Sequence, residues 1–191
     1  MKFPFKTLTL TAIAFAIFAV TYISCTKDNN KSTTVIKCVT CVNGGACIND
    51  TCRCPAGFEG LTCQTLSIEK YIGQWFVSET GSITSFHQYS IQIQQAFNSI
   101  TNVSISGLYE PYPPFSFSSL TANINGDSIF IPSQPMGNGI IIGKGYLTPG
   151  NNSTQFSKIT FRYKVTDTIA NTVNDFGYSN PIDSPSVWNF N

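Results

Sequence analysis

Six cysteines, Cys38, Cys41, Cys47, Cys52, Cys54 and Cys63, crowd into one short stretch of a 191-residue chain. Their spacing is C-x2-C-x5-C-x4-C-x-C-x8-C. So short a segment cannot bury enough apolar surface to order itself, so cross-links or a metal must hold it. Structural zinc sites use other spacings, and no histidine lies near these cysteines. Disulfides remain, and disulfides place the chain in an oxidising compartment. Spacing alone leaves their pairing open. Cys25 is the seventh cysteine, and an odd cysteine in an exported chain needs an explanation of its own.

The N-terminus supplies one. Lys2 and Lys6 flank a short basic start, and Leu8 to Ile23 is apolar apart from threonines. That is the order of a secretory signal. The run falls short of the roughly 20 residues a spanning helix needs. It ends in Tyr22-Ile23-Ser24-Cys25, which resembles the lipobox of bacterial lipoproteins. The resemblance implies cleavage before Cys25 and acylation of that cysteine, with residues 1–24 as signal peptide. Residues 25–36 are polar and coreless, as a tether would be. Thr26 stands where an aspartate would favour inner-membrane retention, so an outer-membrane or cell-surface location is implied. The membrane is then a partner through the lipid, since more than one acyl chain gives stable anchoring.

Residues 37–64 resemble an EGF-like module. The match lies in Cys41-Val-Asn43-Gly44-Gly45-Ala-Cys47 and in Cys54-Pro-Ala-Gly57-Phe58-Glu-Gly60-Leu-Thr-Cys63. The resemblance implies the pairing Cys38–Cys47, Cys41–Cys52 and Cys54–Cys63. It also implies that Gly44, Gly45, Gly57 and Gly60 serve turns with positive φ and that Phe58 covers the last disulfide. Calcium-binding members carry acidic residues before the first cysteine. Here Thr33-Thr34-Val35-Ile36-Lys37 offers no carboxylate for a hard cation. The module is expected to act as a spacer or to meet a protein partner.

From Leu66 onward the pattern changes to period-2 alternation, the mark of half-buried strands. Tyr89 to Gln94, Asn102 to Ser106, Leu120 to Ile124, Ile129 to Ile131, Ile140 to Ile142 and Ile159 to Thr166 all read this way. Asn125-Gly126 is a type I′ hairpin signal. Ser67 to Ile72 is the only helical candidate, a single turn. Seven or eight short sequential strands predict a mainly β fold over 66–191, an antiparallel β-barrel with a two-sheet sandwich as alternative. Gly73-Gln-Trp75, after a helical turn and before a meander, resembles the opening of lipocalin and wider calycin barrels. Lipocalins set an arginine against that tryptophan. Arg162 is the one arginine after residue 66, and its parity puts it off the core face. A calycin-like barrel could hold a small apolar ligand or be filled by its own side chains.

The remaining chemistry is thin. Lys and Arg total 11 against 10 Asp and Glu, and charged residues are 11% of the chain, far below the usual ~25%. Such a balance lacks the basic excess of a nucleic-acid binder. His87 is the only histidine, so no two-histidine zinc site can form within one chain. No G-x-S-x-G elbow occurs. The carboxylates, Glu79 among them, show no paired spacing of the kind glycosidases use. Gly143-Lys144-Gly145 lacks the pattern and helix of a phosphate loop. Asp127-Ser128-Ile129 and Asp167-Thr168-Ile169 resemble a short bacterial O-glycosylation sequon, though they read equally as turns followed by strand hydroxyls. The expectation is a non-enzymatic exported binding or adhesion protein with no cofactor and no metal. A lipophilic-ligand carrier is the alternative and an envelope hydrolase the second. An exposed patch around Tyr109, Tyr112, Phe115 and Phe117 would favour the binder.

Overall fold

A computed structural model describes residues 40–109, 119–150, 157–180 and 184–191. Lys37–Asn191 packs as one compact unit. The expected signal peptide over 1–24, Cys25 and the tether, and Cys38 lie outside the described residues, as do Tyr112, Phe115 and Phe117.

The disulfide-rich part holds two small hairpins. Strand β1 (Ala46–Ile48) pairs with β2 (Thr51–Arg53), and β3 (Phe58–Glu59) pairs with β4 (Thr65–Leu66). Cys41 is bonded to Cys52 and Cys54 to Cys63, and Cys47 is also disulfide-bonded. These short strands hold little core of their own, so the bonds stand in for burial. Gly44, Gly57 and Gly60 have positive φ. Gly45 does not, contrary to expectation. It is glycine because a Cβ there would lie 2.7 Å from Cys63 Sγ. Phe58 is half-buried and pairs with Leu66. Replacing both Cys54 and Cys63 with alanine should cost about 2–3 kcal/mol for a loop of this size. Chemical denaturation of the variant against the parent measures it.

The disulfide-rich part is fastened to residues further along the chain. The Ser67 amide donates to the Gly57 carbonyl at 2.9 Å, and Gly57 lies against Ile100. Lys70 bonds both Glu59 (2.7 Å) and Asp127 (2.6 Å). Burial alone would lower the Lys70 pKa, but the two carboxylates outweigh it and the net shift is upward. The expected turn over Ser67–Ile72 is present as hydrogen-bonded turns, with Glu69 and Tyr71 amides donating to Leu66 and Ile68 carbonyls.

The rest is a closed barrel of eight antiparallel strands. In chain order they are β5 (Gly73–Glu79), β6 (His87–Gln95), β7 (Asn102–Ser106), β8 (Leu120–Asn125), β9 (Ser128–Met136), β10 (Gly139–Thr148), β11 (Lys158–Asp167) and β13 (Ser186–Phe190). A further strand, β12 (Thr172–Phe176), pairs with the end of β11 that β13 leaves uncovered. Each of β5 to β11 pairs with the next, β11 pairs with β13, and β13 returns to β5. Closure leaves no free barrel edge and rules out the two-sheet sandwich. The alternation does the sorting. Val103, Ile105, Ile129, Ile131, Ile159, Phe161, Tyr163 and Val165 face inward and are buried. Outward positions such as Gln88, Ser90, Thr121 and Asn123 are polar and exposed. A barrel spanning a lipid bilayer has the opposite pattern.

The β8–β9 hairpin sits one residue later than Asn125-Gly126 implies. Asn125 pairs with Ser128, so Gly126 and Asp127 form the loop. Of these two, Gly126 alone has positive φ (+56°). That is the type II′ requirement, glycine at the first loop position, rather than type I′.

Candidate functional site

Two places gather chemistry, one inside the barrel and one outside. On β5 the alternation that buries Trp75 and Val77 carries Glu79 inward as well. Glu79 is 2% exposed. Its Oε1 accepts from the Tyr89 hydroxyl at 2.6 Å and the Tyr163 hydroxyl at 2.9 Å. Its Oε2 accepts from Ser186 Oγ at 2.6 Å, and Ser186 Oγ in turn accepts from Trp188 Nε1 at 2.8 Å. Burial pushes the Glu79 carboxyl upward, and the three hydroxyls and the nearby His87 pull it back in part. Burial and the adjoining carboxylate push Tyr89 and Tyr163 well above the usual phenol range, so both stay protonated donors.

Rings close over this carboxylate. Tyr163 and Phe176 stack at 4.3 Å, and Phe161 lies 4.5 Å from Trp188. Tyr109 sets its edge against both Tyr163 and Phe176. Its hydroxyl accepts from Asn174 Nδ2, and its amide donates to the Tyr89 hydroxyl. Tyr109 is therefore 3% exposed, not part of a surface patch. Its φ of +66° is strained for an aromatic residue, a cost of about 1–3 kcal/mol that packing must offset. Around Glu79 these aromatic side chains pack directly against one another. With both oxygens engaged by these hydroxyls, the carboxylate ties β5 to β6, β11 and β13.

The barrel opening motif is local packing. Trp75 is fully buried, donates from Nε1 to the Tyr71 carbonyl at 2.8 Å and meets Phe190 edge-on at 5.1 Å. Gly73 has φ +138°, and a Cβ there would lie 2.8 Å from the Phe190 ring. Arg162 does not approach Trp75. It is on the outer face, with Nη1 donating to the Gly177 carbonyl at 3.0 Å.

That outer face is the second place. Lys144 on β10 sits between Phe130 on β9 and Arg162 on β11, and Tyr146 sits between Ser128 and Thr160. These six residues line a groove of about 390 Å³. Tyr146 is 61% exposed and Phe130 41%. The Tyr178 ring holds the ammonium groups of Lys144 and Lys164 at 5.7 and 5.5 Å. Gly143-Lys144-Gly145 is part of β10. Its glycines face inward, where a Cβ on either would strike Phe161, and its lysine faces out. After residue 66 the chain has five cations, Lys70, Lys144, Lys158, Arg162 and Lys164. All but Lys70 lie on β10 and β11. Parity gives the outward side of each, but not their neighbours across strands.

His87 faces Glu79 across the β5–β6 pair and is half-buried, with Nδ1 2.9 Å from the Ser85 carbonyl. Thr168 Oγ1 donates to the Asn138 carbonyl, and Ser128 is exposed beside the groove. Among the described residues no group of three or more His, Cys, Asp or Glu could hold a metal ion. No protein-family model and no curated protein matches this chain.

Proposed function

We propose that this chain is an exported lipoprotein, held at the outer membrane or cell surface by acylated Cys25, that binds a partner without catalysis. Its disulfide-rich part is EGF-like and its barrel calycin-like. The observation that carries the reading is the contrast between the two faces of the barrel. The inside is packed with tryptophan, tyrosine and phenylalanine around a saturated carboxylate. The outside gathers cations and exposed aromatic rings on β9, β10 and β11. The outer wall is the face this contrast offers to a partner, and the stapled module clamped through Lys70 adds a further surface beside it. The two disulfides seen, Cys41–Cys52 and Cys54–Cys63, are among those an EGF-like module would have.

Intact mass of the purified product tests the anchor. A mature chain starting at Cys25 with added acyl mass is expected, together with loss of that mass and of membrane retention in Cys25→Ser. Unchanged mass and unchanged retention in that variant would end the lipoprotein reading. Organic extraction of the purified protein tests the binding mode. A small apolar molecule released in equal amount to the chain would show the barrel to be a carrier.

A further inference from the structure

We infer that the outer groove of β9–β11 binds an acidic polysaccharide, a linear chain of uronic-acid type. The inference rests on the surface-binding reading above and names its ligand class. Lys158, Thr160, Arg162 and Lys164 all face outward along β11. Alternate residues of a strand stand about 7 Å apart, so the three cations span about 20 Å in a line. Lys144 stands directly across from Arg162, one strand spacing of about 5 Å away. An extended polyanion lying along β11 therefore meets a cation repeatedly; among the described residues none that lines the groove is acidic, while Asp175 on β12 stands beyond it, across from Lys164.

The cations are partly ordered before any ligand arrives. Arg162 is held by the Gly177 carbonyl, and Lys144 and Lys164 by the Tyr178 ring. Less freedom is then lost on binding. The lysines act as mobile point charges, and Arg162 adds a fixed one to the same row. Phe130 and Tyr146 supply what simple charge does not. They are flat, exposed and diagonal to each other across β9 and β10, within reach of one ligand. The C–H face of a pyranose ring can lie on such a ring while its carboxylate meets Lys144 or Arg162. Thr160 and Ser128 add hydroxyls to bond those of a sugar. The disulfides fit a face outside the reducing cytosol, where acidic glycans are within reach.

The test is binding of polygalacturonate to the full mature lipoprotein in detergent, beside neutral dextran and single-stranded oligo-dT. Polygalacturonate should bind, neutral dextran should not, and raising salt from about 50 to 200 mM should weaken binding roughly tenfold if two or three ion pairs form. Lys144→Gln with Lys164→Gln should weaken it about tenfold, and Tyr146→Ala by a similar factor. These side chains sit on the outer wall, and unchanged thermal unfolding of each variant confirms that the barrel is intact. Gln94→Ala, outward on β6, should change nothing. Absence of polygalacturonate binding, or binding that all of these variants leave unaltered, would overturn the inference. So would equal binding of dextran, or tighter binding of oligo-dT through the same residues. Each of those results leaves the surface-binding reading standing, because that reading fails separately, through a stoichiometric apolar molecule extracted from the barrel.

Discussion

Glu79→Ala is expected to lower the unfolding free energy by about 3 kcal/mol, and Glu79→Gln by about 1 kcal/mol. In the alanine variant the hydroxyls of Tyr89, Tyr163 and Ser186 lose their common acceptor inside the core. Each buried donor left unpaired costs roughly 1–3 kcal/mol. Relief from holding a buried charge offsets part of that sum. Glutamine keeps the shape and one acceptor oxygen, so it loses less. The pH dependence separates the charge from the shape. Burial raises the Glu79 pKa above its ordinary value of 4.5, so the folded state holds this proton more tightly than the unfolded chain does. The stability that this proton contributes is complete below pH 4.5 and is lost as pH rises through the folded-state value. The parent should therefore gain stability relative to Glu79→Gln as pH falls from neutral toward 4.5. Chemical denaturation at several pH values measures both. Parallel pH curves for parent and glutamine variant would show that the carboxyl does not titrate under the influence of its burial.

Much of the barrel is legible in the sequence because a strand that covers a core on one face must alternate. Ile159-Thr-Phe161-Arg-Tyr163-Lys-Val165 states both the strand and its inward side, and the structure buries the odd positions. Two strands are harder to read. β12 is short and largely polar, and β13, with Ser186 and Trp188 inward, offers only two buried positions. The hairpin at Gly126 shifts by one residue because the glycine serves a type II′ turn as readily as a type I′ turn, and only strand register separates the two. Gly45 illustrates another limit. Its need for glycine comes from the sulfur of Cys63, distant in sequence, which no local turn rule contains.

The two candidate sites are legible to different degrees. Glu79 reads as one more scattered acid, yet it continues the inward series Trp75, Val77, Glu79, and that parity is the available signal. Its partners cannot be read locally, since Tyr163 lies 84 positions away and Ser186 lies 107. For the groove, parity alone puts Arg162 and Lys164 on the outer side. That Lys144 sits opposite Arg162, with Phe130 on its other flank, follows from the β9–β10–β11 register and from nothing shorter.

Trp75→Ala should be the most damaging single change, at about 3–5 kcal/mol for truncating a large buried aromatic. Trp75 is fully buried, its edge contact with Phe190 joins β5 to β13, and its N–H satisfies the Tyr71 carbonyl at the entry turn. In a domain of this size each kcal/mol moves the midpoint by about 2–4 °C, so a fall of about 10 °C is expected. Trp75→Phe separates packing from hydrogen bonding. It retains most of the apolar volume but leaves the Tyr71 carbonyl unpaired, a cost of roughly 1–3 kcal/mol. Gly73→Ala should cost a similar amount by a different route, since φ +138° is foreign to alanine and its methyl would meet Phe190. The two residues of the motif thus serve one joint, glycine admitting the Phe190 ring and tryptophan packing beneath it. Coupling through that shared ring means Gly73→Ala combined with Trp75→Ala should cost less than the sum of the single changes, because the ring that obstructs the methyl can shift once the indole is gone. Strict additivity in thermal or urea unfolding would show that the motif acts as two independent residues rather than as one joint closing the barrel.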